Sequence, residues 1–310
     1  MFQSRDAWRL RHAKRNLRRD KWLYLMLLPG FAYFVIFKYG AMYGLVIAFA
    51  DYSPFRGLLG SPFVGFKHYI RLFSEPTFAL LFRNTLLLAV YNIVFYFPIP
   101  IILSLLLNEV RARRFKNLTQ ALIYIPHFIS WPVVVSLCYL LFTPSHGFVN
   151  LLLHAWGQKP INPLMEAGAF RPMVILMQIW KESGWGTIIF LAALAGVNVE
   201  LYEAATIDGA NRFQQMLHVT LPAIRSTVIV MFILRMGSFM DSGFEQIYLL
   251  LNSLNRSVGE VFDTYVYTTG LVSGQFSYST AVGLFKSLIS LIMVISINRL
   301  AKRMGEEGVY

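Results

Sequence analysis

Charged residues are scarce in this sequence, and acidic residues are fewer than basic ones. Asp, Glu, Lys and Arg make up 14% of the 310 residues, whereas roughly one quarter is usual in a soluble domain. The single cysteine, Cys138, excludes an internal disulfide and lies in an apolar run, where it is expected to pack as a small core residue. The low charge content excludes an ordinary soluble domain and indicates a chain that lies in a bilayer.

Several catalytic and nucleotide-binding motifs are also missing. There is no Gly-Lys dipeptide and hence no phosphate-cradling P-loop, and neither His-Glu-x-x-His nor Gly-x-Ser-x-Gly occurs. The six histidines are scattered without metal-ligand spacing. We therefore expect no catalytic residue, no metal and no cofactor on this chain. If nucleotide energy drives its activity, another chain binds the nucleotide.

Hydrophobic residues dominate, at 56% of the chain. Each of six stretches approaches or exceeds the ~20 mostly apolar residues that cross a hydrocarbon core. They are 22 to 50, 82 to 107, 119 to 142, 172 to 196, 223 to 240 and 281 to 298. Helices satisfy every backbone group within one segment, and these runs are too long and continuous for barrel strands. The sequence therefore predicts an all-α integral membrane protein with six transmembrane helices.

Basic residues predict the orientation. They crowd the N-terminal tail, 1 to 21, the loop from 109 to 118 and the C-terminal tail, 301 to 310 with Arg299 before it. These segments are predicted to be cytoplasmic, whereas the loops at 51 to 81, 143 to 171 and 241 to 280 are predicted to lie outside and are the candidate linkers. Membrane lipid explains the net charge of +12, and nucleic acid is not expected as a partner. A cleavable signal peptide is the alternative for the N-terminus, but its apolar run exceeds a signal h-region, so a retained helix is expected.

The cytoplasmic loop between the fourth and fifth spans, 197 to 222, contains an ordered polar stretch, EAATIDGANRFQQMLHVTLP. Glu200 to Asp208 is predicted to form a short helix, Gly209 a left-handed turn and Ala210 to His218 a second helix. Pro222 is expected in the first turn of the fifth span, where its missing N–H costs little. The result is a helical hairpin with small residues at its tip, although a mere connecting loop remains an alternative.

This stretch resembles the cytoplasmic signature of permease subunits of bacterial ABC importers. The matching residues are Glu203, Ala204, Ala205, Gly209, Val219, Leu221 and Pro222. The resemblance implies the type I permease fold, with a hairpin that docks into a cleft of the ATP-binding subunit and couples ATP-driven closure to the membrane helices. Asp208 adds a charge for a basic partner.

The resemblance extends from about residue 22 to 305, through stretches such as YIPHFISW, IWKESGWGTIIF and GFEQIYLL. They are similar to the first permease of oligosaccharide and polysaccharide importers, some of which carry alginate. This implies a transmembrane domain at 22 to 300 in the bacterial cytoplasmic (inner) membrane. The implied partners are a distinct second permease, two ATP-binding subunits that hold ATP and Mg²⁺, an extracytoplasmic solute-binding protein and an oligo- or polysaccharide.

A candidate cargo pathway lies inside the membrane. Ionisable groups are costly there, by ~2.5 to 3.5 kcal/mol each, and usually face a cavity or a partner. Similarity to the maltose permease places sugar-contacting positions at His127, Trp131, Gln178, Lys181, Glu182, Arg235, Phe239 and Ser242. Lys181 and Glu182 could instead pair elsewhere or snorkel, and Phe239 and Ser242 could pack or cap. His, Lys and Arg together favour an acidic, uronate-containing glycan.

Prolines and small residues in the spans permit two further expectations. Pro98, Pro100, Pro126 and Pro132 break backbone hydrogen bonds and predict hinges or static bends. Ala192 and Gly196 predict a close helix contact.

Two other functions stay open. A passive channel would need no docking hairpin, and a membrane-embedded glycan-processing enzyme would need paired carboxylates, for which only Glu182, Asp241 and Glu245 are available.

Overall fold

The computed structural model describes residues 20–305 and residue 308. Those residues are helical, and apart from one isolated bridge between Ala50 and Phe63 they form no β-structure. The predicted all-α fold is confirmed. Nearly all of the predicted N-terminal tail, 1 to 21, lies outside the described residues, as do 306–307 and 309–310.

Contacts divide the chain into two units, Met1–Lys67 and His68–Tyr310. In the first unit, α1 (Lys21–Tyr33) continues through a π-helical stretch (Phe34–Gly40) and a 3₁₀ stretch (Tyr43–Phe49). No side chain of α1 is buried, as expected for a helix whose solvent is lipid. An ion pair between Lys67 Nζ and Asp51 Oδ2, at 2.6 Å, closes the Gly- and Pro-containing loop that follows.

The helices after this loop vary greatly in length. They are α2 (Lys67–Ser74), α3 (Pro76–Tyr91), α4 (Pro98–Glu109), α5 (Arg113–Tyr124), α6 (Trp131–Phe142), α7 (Phe148–Ala155), α8 (Ala167–Ala195), α9 (Val199–Ile207), α10 (Arg212–Gln215), α11 (Leu221–Ala223), α12 (Arg225–Gly237), α13 (Phe244–Leu250), α14 (Arg256–Gly259), α15 (Phe262–Tyr267) and α16 (Phe276–Arg303).

Three continuous helical segments are long and apolar enough to cross a membrane: Lys21–Phe49, Pro76–Glu109 and Phe276–Arg303. Three bent pairs qualify when each pair is taken as one span: Arg113–Phe128 with Trp131–Phe142, Ala167–Ala195 with Val199–Ile207, and Arg212–Ala223 with Arg225–Gly237. The described residues thus contain up to six spans, in agreement with the prediction. The second span begins at Pro76 rather than at 82.

The prolines have two different effects. Between α3 and α4 a π-helical turn, Asn92–Tyr96, precedes Pro98, and the segment Pro76–Glu109 remains one helix. In the third span, a 3₁₀ turn at Ile125–Phe128 and a break before Trp131 turn the chain by 99°. The π-helical turn is wider than an α-helical one and can accommodate a proline ring and its missing N–H. In the third span no such turn forms, and the helix is interrupted.

The segment 241–280, one of the candidate linkers, is largely helical and packed into the fold. It folds into α13, α14 and α15, with Ile247, Val261 and Phe262 fully buried. Ile247 and Val261 join a core with residues of α6 and α8, and Phe262 joins a second core with residues of α16. Apolar burial therefore holds this segment in the fold despite its turns.

Close backbone packing occurs at a different glycine from the one expected. A Cβ on Gly184 of α8 would lie 1.9 Å from the carbonyl oxygen of Ile123 in α5, so only glycine permits this contact. At Gly196, by contrast, a Cβ would meet only the carbonyl oxygen of Ala193 in its own helix, at 3.5 Å. The predicted close contact at Ala192 and Gly196 is therefore absent among the described residues.

Polar side chains join the starts of two spans. Glu75, next to Pro76, accepts hydrogen bonds from Arg71 Nε at 2.7 Å and from the Tyr278 hydroxyl at 2.8 Å. The Arg71 guanidinium also lies over the Tyr278 ring and donates to Gln275. Burial alone would raise the pKa of Glu75, but the hydrogen bonds outweigh it and hold the pKa below its ordinary value of 4.5.

Candidate functional site

An ionic cluster lies at the bend of the third span. Lys181 of α8 is buried, and its Nζ donates to Glu182 Oε1 and to the backbone carbonyl of His127, both at 2.8 Å. Glu182 Oε2 lies 2.7 Å from Nδ1 of His127, in the 3₁₀ turn. The Lys181 ammonium also lies 5.3 Å from the ring centre of Trp131, at the start of α6. Four predicted pathway residues thus meet where the helix breaks.

Two members of this cluster, and an indole ring beside it, are partly exposed. The side chains of His127 and Glu182 are 27% and 23% exposed, so each still presents polar atoms. Trp185, half exposed, stacks on the His127 ring with centroids 4.6 Å apart and planes 9° apart. Indole and imidazole faces suit the C–H faces of a sugar ring, and the carboxylate suits its hydroxyl groups.

A second cluster joins three spans. Asn92, buried in the π-helical turn, accepts hydrogen bonds at Oδ1 from Nε and Nη2 of Arg235 in α12. Its Nδ2 donates to Oε1 of Gln178 in α8, at 2.6 Å. The Arg235 guanidinium also lies 5.6 Å from the ring centre of Tyr96. Two predicted pathway residues, Gln178 and Arg235, are therefore brought together through a residue that was not predicted.

A small cavity lies beside this second cluster. Gln178, Arg235, Phe239 and Ser242 all line it, together with Asn92. Its volume is about 10 Å³, room for about one water molecule. The Ser242 Oγ is buried without a hydrogen-bond partner among the described residues, whereas Phe239 also packs against an apolar core. A cavity of this volume is too small for a sugar ring.

The hairpin between α8 and α12 is built from well-capped helices. Asn198 caps α9 by accepting from the Glu200 N–H at 3.0 Å, and Gly209 turns the chain with φ +79°. Asn211 and Gln214 form a reciprocal capping box at the start of α10. The predicted first helix and turn agree with this arrangement, but the second helix begins at Arg212 rather than at Ala210.

Two hydrogen bonds tie the arms of the hairpin together. The Tyr202 hydroxyl donates to Thr220 Oγ1 at 3.1 Å, and Gln215 Nε2 donates to Thr206 Oγ1 at 3.0 Å. A third contact, between Arg212 and Glu109 at 3.4 Å, joins the hairpin to the end of α4. The hairpin is therefore a braced unit attached to the second span.

The predicted coupling residues occupy the surface of this hairpin. Glu203, Ala204, Asp208 and Gly209 are exposed, and Ala205 is partly exposed. A groove of about 340 Å³ runs between the arms and is lined by Ala205, Asp208, Gly209, Ala210, Gln214, Gln215, His218 and Val219.

Leu221 and Pro222 belong to the short helix α11, and Pro222 lies in its first turn. A 59° bend at Ile224 separates this helix from α12 within the fifth span.

Comparison with known families identifies the chain. Residues 96–306 match the family described as binding-protein-dependent transport system inner membrane component. The chain belongs to this permease family. The match begins within the second span and covers every pathway and coupling residue named above.

Two curated permeases and a solved transporter are similar to this chain. The permease is 58% identical over 295 residues to the Bacillus subtilis polygalacturonan/rhamnogalacturonan transport system permease protein YteP, covering 95% of this chain and 92% of that protein. It is 54% identical to Protein LplB of the same organism, over 95% and 92% of the two chains. A crystal structure of a bacterial alginate ABC transporter with an alginate pentasaccharide-bound periplasmic protein contains a chain with TM-score 0.88 and 37% identity, covering 95% of this chain and 99% of that one.

Three residues of the permease site were missed by sequence reasoning: Asn92, Tyr96 and Trp185. Asn92 offered a signal, because an amide within an apolar run is costly unless it is hydrogen-bonded. Tyr96 and Trp185 offered none, because aromatic residues are common in spans and their neighbours depend on the fold. The site is thus broader than the eight predicted positions.

Proposed function

We propose that this permease is a transmembrane subunit of an ATP-driven importer of oligo- or polysaccharides and that it forms half of the translocation pathway. The observation that carries the proposal is the ionic cluster of His127, Lys181 and Glu182 at a helix break within the predicted spans. Broken transmembrane helices place polar groups at binding sites, because irregular backbone is tolerated there only in a cavity or against protein. The names of the similar permeases support a glycan as cargo.

We propose an acidic glycan, with uronate carboxylates, as the cargo class. Arg235, Lys181 and His127 provide donors that suit carboxylates. The named cargo of the similar permease YteP is polygalacturonan/rhamnogalacturonan, and a solved transporter at TM-score 0.87 is described as importing the acidic polysaccharide alginate. Both descriptions support this cargo class.

The partners follow from the same proposal. A second permease completes the pathway, two ATP-binding subunits hold ATP and Mg²⁺, and an extracytoplasmic binding protein delivers cargo. Both termini and the hairpin face the cytoplasm, and the groove beside Asp208 and Gly209 receives a segment of an ATP-binding subunit. Closure of the ATP-binding subunits moves the hairpin, and the bends at 196–198 and 224 transmit this movement to the spans.

Reconstitution tests the proposal. The permease is assembled in proteoliposomes with its second permease, the ATP-binding subunits and the binding protein, and uptake of labelled uronate oligomers is followed with and without ATP. We expect uptake that requires both ATP and the binding protein. Uptake that proceeds equally without ATP would indicate a passive channel, and shortening of the oligomers by the permease alone would indicate a glycan-processing enzyme.

A further inference from the structure

Asn92 occupies a central position in the permease that neither its sequence nor its relatives' names assign. It lies in the π-helical turn of the second span, where it is buried and bonded to residues of the fourth and fifth spans. Single π-helical turns within helices occur frequently at functional sites. One amide thus sets the positions of two cavity-lining side chains, Gln178 and Arg235.

The chemistry of the amide matters more than its position. An arginine buried within a span usually pairs with a carboxylate, which satisfies its N–H groups and cancels its charge. The Asn92 oxygen satisfies Nε and Nη2 of Arg235 without cancelling the charge. Among the described residues, no carboxylate oxygen lies within 4.0 Å of Arg235, and its Nη1 donates no hydrogen bond.

Asp241 is the acidic group that also lines the cavity, and it has a different partner. Its carboxylate forms an ion pair with Lys286 of the last span, which also pairs with Asp263. Among the described residues, Arg235 therefore forms no ion pair and its Nη1 is unused, although Asp241 and Glu182 interact with its charge at longer range. The same cavity holds the unpartnered Oγ of Ser242.

We propose that Asn92 is a positioning residue that fixes the Arg235 guanidinium and leaves its charge available for a cargo carboxylate. This inference rests on the proposed function and extends it, because it assigns selection for anionic over neutral glycans to the Asn92–Arg235 pair. A carboxylate at position 92 would occupy the same place and form an ion pair with Arg235. The Arg235 charge would then no longer be available to the cargo's carboxylate.

The test compares two forms of one cargo. Cargo-stimulated ATP hydrolysis by the reconstituted complex is measured with a uronate oligomer and with its methyl ester, which differ in charge and little in shape. In Asn92→Asp we expect the preference for the charged form to fall by about tenfold or more, as for loss of a charge-assisted hydrogen bond. In Asn92→Ala, which leaves the Arg235 charge in place, stimulation by both forms should fall while much of the preference remains.

A double-variant comparison separates positioning from packing. In an Arg235→Gln background, Asn92→Ala should not lower the stimulation by the uronate oligomer further, because Asn92 acts through Arg235. The same comparison tests the positioning role of Asn92 if the Asn92→Asp complex does not assemble. An unchanged preference in Asn92→Asp, or a further loss in the double variant, would overturn the inference and leave the proposed function intact. A wild-type complex that responds to neither form would overturn both.

Discussion

The polar residues of the membrane spans and those of the hairpin are arranged in opposite ways. Within the spans, Lys181, Glu182 and Arg235 are all hydrogen-bonded to side chains of the permease. On the hairpin, the side chains of Glu203 and Asp208 are exposed and have no partner among the described residues. A bilayer penalises an unpaired charge, whereas an exposed charge keeps its hydration until a partner replaces it. The contrast separates charged groups that have hydrogen-bond partners within the permease from charged groups that have none among the described residues.

Reversing a hairpin charge should give the largest effect. In Glu203→Lys we expect uptake to fall by about a hundredfold, since losing a charge pair at a docking surface costs roughly 2–5 kcal/mol. ATP hydrolysis by the partners should persist without transport, and the purified permease should unfold at the same temperature as the wild type. Uptake and hydrolysis are measured on the same proteoliposomes.

The control for this experiment is Glu200→Lys, which reverses a charge one helical turn closer to α8. Glu200 already accepts a hydrogen bond from Asn198, so this variant should disturb the helix start more than the docking surface. Equal losses of uptake in the two variants would argue against a specific role for Glu203.

Breaking the ionic cluster should affect stability as well as transport. Lys181→Met leaves Glu182 with His127 as its one partner. We expect the free energy of unfolding to fall by about 1–3 kcal/mol. The double variant Lys181→Met/Glu182→Gln should recover much of this stability because no unpaired charge remains, yet its uptake should stay low. Thermal unfolding in detergent measures the stability of the variants, and uptake in proteoliposomes measures their transport. If the double variant recovered uptake together with stability, the cluster would have a structural role alone.

Straining the turn at the tip of the hairpin should have a smaller effect. Gly209→Ala forces an L-residue to φ +79°, at a cost of about 1–2 kcal/mol, so uptake should fall several-fold while hydrogen exchange in α9 and α10 increases. Gly274→Ala is the matched control, because Gly274 has φ +71° and open space around it but lies just before the last span. A similar loss of uptake in the control would refute a coupling-specific role.

The smallest effect concerns Glu75, a carboxylate hydrogen-bonded to Arg71 and Tyr278 at the starts of two spans. Its folded-state pKa lies below the ordinary 4.5, so its contribution to stability is present above about pH 4.5 and is lost as pH falls through the lowered value. Unfolding followed at decreasing pH should show this loss in the wild type. Glu75→Gln should show a flatter dependence, and identical slopes would contradict the assigned role.

The sequence predicted what depends on local pattern. Apolar length gave the six spans, and Gly209 gave the turn between the two helices of the hairpin. The 99° bend was anticipated as a possibility at Pro126 and Pro132, but the same residue type at Pro98 left its helix continuous. The outcome at a proline depends on whether a π-helical turn can form beside it, which local sequence does not specify.

The remaining errors involve long-range contacts. The segment 241–280 was a candidate linker, and the sequence did not indicate that its apolar positions pack against α6, α8 and α16. Asn92 and Arg235 are separated by 143 residues, and nothing local indicates that they meet. Roles for the predicted coupling and pathway residues stay predictions, because they concern a partner and a cargo.

The contact at Gly184 has a mechanical consequence. Since a Cβ at position 184 would overlap the carbonyl oxygen of Ile123, the backbone of α8 packs directly against the end of α5. His127 follows that carbonyl by four residues and also grips Glu182. Because Lys181 also donates to the His127 carbonyl, the imidazole, ammonium and carboxylate tie the 3₁₀ turn to α8, and a displacement of either element carries all three groups with it.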